Sequence, residues 1–255
     1  MLPPAACRTR ALAGGQVCLH LLIKSMGKYR GVLLDADNTL FDYDRAESEA
    51  LDETLSETAP GVPRAQAVES YRQINARYWK RFEAGEVDAA GLQSGRWEDL
   101  FATLGLDGDP SRAASGYVAA LSRQVHLLPG TAEAVRALSS RTRLCLVTNG
   151  LSVVQRGRLA RSGLAGFFTS IVISEEIGWA KPDARFFQAA VQSLGLGASE
   201  LLCIGDNPGA DVEGARRAGI DAWWFSPNGG PWPGPGTAPR ILRDLAEILP
   251  VLHGP

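Results

Sequence analysis

Four times between residues 131 and 225, a helix-period segment gives way to a short apolar run. The helix-period segments are 131–139, 153–162, 184–194 and 210–218; the runs that follow them are 144–148, 171–174, 201–205 and 222–225. Short runs without polar alternation are what strands become when helices cover both faces of a sheet. Regular alternation of this kind specifies a parallel sheet. Residues 29–35, YRGVLLD, add another such run, and it ends in an acid. Ligands of open α/β sheets bind at the carboxyl ends of the strands, so function should be sought there.

Residues 45–125 break the alternation. They carry helix-period patterns at 45–57, 64–84, 89–104 and 112–125, separated by Pro60-Gly61, Gly85 and Asp109-Pro110. The simplest architecture is an α/β core of residues 28–44 and 126–255, with a helical block, 45–125, inserted after the first strand. Residues 227–239, rich in Pro and Gly, read as an irregular loop, and 242–249 as a closing helix. Residues 1–25 hold Arg8, Arg10 and Lys24 and no acid. We read them as a disordered or mis-assigned extension ahead of a functional start at Met26.

Charge and cysteine content exclude several functions. There are 26 Lys and Arg against 28 Asp and Glu, a net charge of −2, with no long basic run, so no nucleic-acid polymer is expected as partner. No 18-residue uncharged apolar stretch is present, so no membrane association is expected. Cys7, Cys18, Cys145 and Cys203 form no CxxC pair, which points away from zinc and towards buried thiols in a reducing cytoplasm.

The strand ends are polar in a particular way. The first closes on Asp35-Ala36-Asp37-Asn38-Thr39-Leu40. Carboxylates at i and i+2 on an extended segment point the same way and repel unless a cation lies between them or one is protonated. Oxygen ligands suit Mg²⁺, which commonly takes one or two carboxylates plus substrate phosphate. The plain alternative is an Asp/Asn turn. The next strand ends in Thr148-Asn149-Gly150, a hydroxyl with exposed backbone N–H groups, or merely an Asn-Gly turn. Lys181-Pro182-Asp183 opens a helix, with Pro at the first helical position and a lysine near the positive helix end, or a solvated lysine. Asp206 ends another run, and Asp211 follows in the first turn of the next helix. Taken singly each has a bland reading; together, in order at four carboxyl ends of one sheet, they do not.

The series DADNTL, TNG, KPD and GDNPGAD resembles the four motifs of the haloacid dehalogenase superfamily. The resemblance implies a Rossmann-like parallel sheet core with an inserted α-helical cap, and an enzyme acting on a small-molecule phosphate ester. It implies Asp35 as nucleophile, Asp37 as general acid/base, and Thr148, Asn149 and Lys181 as substrate-binding residues. It further implies Mg²⁺ held by Asp35, the Asp37 backbone carbonyl and Asp206, with Asp211 behind them or as an occasional ligand. Dehalogenases of the superfamily lack the second acid, so Asp37 favours phosphate chemistry. The flanks DADNTLFDYDRAE, SEEIGWAKPDARFF and GDNPGADVEGARRAGIDAWWFSPNG are similar to pyrimidine 5′-nucleotidases. Sugar phosphatases such as N-acylneuraminate-9-phosphatase, and phosphoglycolate phosphatase, are the alternative resemblances. A phosphomutase and a non-catalytic phosphate binder also stay open. For base stacking, the candidates are Phe41 and Tyr43 beside the acids and Tyr71, Tyr78, Trp79, Phe82 and Trp97 in the helical block.

Overall fold

A computed structural model describes residues 28–252. The reading of residues 1–25 lies outside the described residues. The sheet is parallel throughout. Its strands are β1 (Gly31–Leu34), β2 (Arg143–Thr148), β3 (Ser170–Ile173), β4 (Leu201–Gly205), β5 (Asp221–Phe225) and β6 (Ile241–Leu242), in the spatial order β3-β2-β1-β4-β5-β6. β1 lies between β2 and β4, with Leu33 in register with Cys145 on one side and Cys203 on the other. The strand order reverses at β1, and a crevice opens at such a reversal, at the carboxyl ends. The α/β parallel fold expected from the alternation is thus the one observed.

Side chains of each strand alternate between two buried layers. Val32 and Leu34 pack with Leu144, Leu146, Leu202 and Ile204 on one face. Leu33 packs with Cys145, Val147, Cys203, Phe186 and Phe187 on the other. A third cluster fills the helical block. Its helices are α1 (Tyr43–Thr58), α2 (Arg64–Glu83), α3 (Ala89–Leu104) and α4 (Pro110–Arg123). Their starts are chemical: Asp42, Asp88 and Asp109 accept the backbone N–H of Arg45, Gly91 and Ser111. At the centre, Tyr71, Trp97 and Tyr117 pack with ring centroids 5.1–5.5 Å apart. Leu151 and Val154 join this cluster from the start of α6 (Ser152–Ser162), the helix after β2; α5 (Thr131–Ser139) leads into β2.

Three local expectations are corrected. Residues 242–249 are not one helix. Ile241 and Leu242 pair with Trp224 and Phe225 as an edge strand, and Asp244 caps a 3₁₀ turn, Leu245–Ile248, before a last turn of helix, Leu249–Leu252. A two-residue strand is too short to show a period, and its signal merged with the apolar turn after it. Pro182 is not the first residue of a helix either. The Lys181–Pro182 peptide is cis, and the next long helix runs Ala184–Leu194 with Asp183 as its cap. After β4 the helix starts earlier than residue 210, as a π turn, Pro208–Glu213, followed by Gly214–Arg217.

Gly205 ends β4 where a side chain has no room: a Cβ would lie 2.2 Å from Asp211 Oδ2. Gly205→Ala is expected to cost about 1–3 kcal/mol of stability through this clash. Urea denaturation reads the loss, and an unchanged midpoint would show that Asp211 can move aside.

Candidate active site

The first acidic segment is shaped by hydrogen bonds. Asp35 N–H donates to Ile204 O at 2.9 Å, which keeps Asp35 in line with β1 and β4. The chain then turns, with Leu40 and Phe41 N–H both donating to Ala36 O at 2.9 Å. Asn38 carries the turn at φ 57°, a left-handed conformation that Asn tolerates better than most residues. Its Oδ1 also accepts the Tyr43 N–H at 3.0 Å, joining the turn to the start of α1.

Lys181 is buried at the centre, not solvated. Its Nζ donates to Asp35 Oδ1 at 2.6 Å, Asp211 Oδ1 at 2.6 Å and Val147 O at 3.1 Å. Burial alone would lower its pKa, but the Asp211 and Asp35 charges outweigh burial and hold it above its ordinary value. Asn149 fixes the lysine's backbone: its Oδ1 accepts Lys181 N–H at 2.7 Å and its Nδ2 donates to Lys181 O at 2.8 Å. Thr148 Oγ1 accepts Gly150 N–H at 3.0 Å, and an accepting hydroxyl still has its proton to give.

Asp35, Asp206 and Asp211 bring carboxylate oxygens within 4.8 Å of one another. Burial raises Asp35 to about 7, with Lys181 pulling it down and Asp211 pushing it up. Burial, then the Asp35 and Asp211 charges, raise Asp206 to about 8. Crowded hard oxygen donors whose ionisation is opposed by their neighbours fit a small divalent cation, which would relieve that opposition. Asp211 is tied down on both oxygens, by Lys181 and by Asn207 N–H at 3.0 Å. The Asp206 loop is anchored by Trp224 Nε1, which donates to Asp206 O at 2.7 Å.

All seven residues singled out from the sequence, Asp35, Asp37, Thr148, Asn149, Lys181, Asp206 and Asp211, line one cavity of about 210 Å³. Tyr43, Trp79 and Glu83 complete its wall from the helical block. The stacking candidates separate here. Phe41, Tyr71 and Trp97 are wholly buried in the two cores, and Tyr78 nearly so. Trp79 and Tyr43 face the cavity, and Phe82 packs edge-on against Trp79 at 5.7 Å. Sequence reasoning missed Glu83, although it lies four residues after Trp79 and therefore on the same helix face. It also missed Thr39, whose Oγ1 donates to Asp35 Oδ2 at 3.1 Å, and Gln155 and Arg158, which hold Asp37.

A family model described as haloacid dehalogenase-like hydrolase matches residues 29–219, and the chain belongs to that family. Over 203 residues it is 36% identical to the pyrimidine 5′-nucleotidase PynA of Streptococcus pneumoniae, covering 78% of this chain and 85% of that protein. It is 30% identical to the pyrimidine 5′-nucleotidase YjjG of Escherichia coli, over 87% of this chain and 98% of that one. Among solved structures, the HAD-hydrolase YfnB of Bacillus subtilis superposes with a TM-score of 0.79 at 30% identity, covering 88% of this chain and 99% of that one. That structure is described as bound to magnesium and as revealing interdomain movement. The chain is an enzyme, one of the family's phosphatases.

Replacing Lys181 by Met would leave two buried carboxylates facing each other. Breaking a buried ion pair on one side costs about 3–5 kcal/mol. Lys181→Met is therefore expected to lose that much in metal-free buffer, measured by urea denaturation. A loss under about 1 kcal/mol would mean the carboxylates do not depend on this cation.

Proposed function

We propose that the protein is a magnesium-dependent nucleoside 5′-monophosphate phosphatase of the pyrimidine 5′-nucleotidase type, working in the cytoplasm. The observation that carries this reading is the shared cavity. Paired acids and a buried lysine form its floor, and a tryptophan, a tyrosine and a glutamate from the helical block form its outer wall.

In this reading Asp35 is the nucleophile. Its carboxylate attacks phosphorus, the ester P–O bond breaks, and an aspartyl phosphate forms. Asp37 gives its proton to the departing alkoxide. It then takes a proton from the water that attacks the aspartyl phosphate and frees Asp35. Lys181 and the Thr148 hydroxyl bind the phosphoryl oxygens, and Asn149 serves them by holding the Lys181 backbone. Asp35, the Asp37 carbonyl and Asp206 would hold Mg²⁺, with Asp211 behind them. When bound, the ion neutralises charge between carboxylate and phosphate. The helical block acts as a cap that selects the leaving group. Trp79 offers a flat face to a base, and Glu83 accepts from N–H or O–H donors. Glu83 repels a second carboxylate, which favours a nucleotide over phosphoglycolate.

The raised acids make the metal proton-linked. Asp35 and Asp206 start from an ordinary value of 3.8 and lie near 7 and 8 in the folded chain. A raised folded-state carboxyl makes the metal-free fold lose stability as pH climbs from 3.8 towards those values, because over that range the unfolded chain gives up protons that the folded state still holds. Mg²⁺ competes with those protons. Its addition is expected to raise the melting temperature more at pH 8.5 than at pH 6. An equal rise at both would place the ion elsewhere.

The substrate reading is tested by a panel with released phosphate as readout. UMP, dUMP or dTMP is expected to exceed sugar phosphates and phosphoglycolate in kcat/KM. Base stacking is worth about 1–3 kcal/mol, so Trp79→Leu should lower kcat/KM for the nucleotide by about 5- to 150-fold. Inhibition by inorganic phosphate should not change. Asp35→Asn should abolish turnover of every substrate. A sugar phosphate or phosphoglycolate tenfold better than every pyrimidine nucleotide would overturn the substrate and leave the phosphatase chemistry standing.

A further inference from the structure

We propose that Arg158 and Gln155 are a positioning pair that holds the Asp37 carboxylate in its working orientation. The proposal rests on the acid/base reading of Asp37 given above. The two side chains lie three residues apart on α6 and reach the same carboxylate. Arg158 Nη1 donates to Asp37 Oδ1, and Gln155 Nε2 donates to Oδ2 at 2.7 Å. Both oxygens are therefore held at once, which fixes the plane of the carboxyl group as well as its position.

The surroundings show that this contact shapes the region. Arg158 is fully buried, and its guanidinium lies 4.3 Å from the centroid of the Phe41 ring. Gln155 is 1% exposed. Arg158 Nε and Nη2 and Gln155 Oε1 are buried without a hydrogen-bond partner. Orphaned polar atoms and a buried guanidinium are costly, and the hydrogen bonds the pair does make converge on the two oxygens of Asp37. Gly150 belongs to the same device: a Cβ there would fall 2.1 Å from Gln155 Nε2, so the glutamine occupies space that only glycine leaves.

Proton transfer in both steps needs Asp37 within about 2.6–3.2 Å of the oxygen it serves. Asp37 sits on a turn, with its side chain 28% exposed to the cavity. Unheld, it would sample rotamers in which no transfer is possible. Small misplacements of catalytic groups are costly in rate. The pair touches the acid/base and not the phosphoryl site, so its effect belongs to kcat rather than KM.

The test is a double-mutant cycle with UMP and with p-nitrophenyl phosphate, the latter serving should nucleotides not be substrates. Arg158→Met is expected to lower kcat at least tenfold with KM within threefold, and Arg158→Lys to recover part of the loss. Made in an Asp37→Asn background, Arg158→Met should lower kcat less than twofold further. A merely structural role would lower kcat by the same factor in both backgrounds, and that result overturns the proposal. So does a single variant within twofold of the parent. An Asp37→Asn enzyme turning over at the parent rate overturns the acid/base reading itself. Should Arg158→Met fail to fold, Gln155→Leu and Gly150→Ala carry the same cycle, because each removes the Gln155 contact and leaves Arg158 in place.

Discussion

A lysine ammonium buried at the base of the cavity has to be matched by carboxylates, and the carboxyl edge of the sheet is arranged around that requirement. Lys181 meets Asp35 from just beyond β1 and Asp211 from the turn after β4, with a carbonyl of β2 as third partner. Other features follow from it. Asn149 clamps the lysine's backbone, Gly205 makes room for the returning Asp211, and Asn207 N–H takes that carboxylate's second oxygen. Residues read as binding groups are thus also the ties between strands. Changing one of them changes charge, packing and strand registration together.

The cavity draws on two sources of order. The core supplies the charged floor and, through α6, the grip on Asp37. The helical block supplies Tyr43, Trp79 and Glu83 and keeps most of its aromatic mass inside. Tyr71, Trp97 and Tyr117 stack around the buried Arg96, which donates to Asn75 Oδ1 at 2.8 Å. Asn75 and Arg72 in turn donate to the buried Glu47. The network is satisfied only in part, since Arg96 Nε, Trp97 Nε1 and the Tyr71 and Tyr117 hydroxyls are buried without a hydrogen-bond partner. Trp79 is presented to the cavity from α2.

Much of this was legible in the sequence, and the reasons differ by feature. Alternation exposed the sheet because each buried parallel strand is a run too apolar for any other place. The acids and the lysine stood out because charge at the end of such a run has no packing explanation. Asn38 stood in the first acidic segment without a role, and its left-handed φ at the turn gives it one. Arg158 and Gln155 were invisible because polar residues on an amphipathic helix read as its solvated face; only a contact 121 residues away in sequence turns that face inward. Glu83 was hidden for a related reason, since a charge on the last turn of a helix looks like solvation. The edge strand β6 was lost because two residues have no period.

The bond between Lys181 and Asp35 spans 146 residues, and that between Arg158 and Asp37 spans 121. Closing loops of that length carries an entropic cost that no local contact offsets. During synthesis Asp35 and Asp37 therefore leave the ribosome long before Lys181 and Arg158, their distant partners. For most of translation Asp35 and Asp37 lack these distant partners, and Lys181 is made before Asp211. The buried ion cluster around Lys181 can be complete only once β4 and the turn behind it have emerged, ahead of β5 and β6.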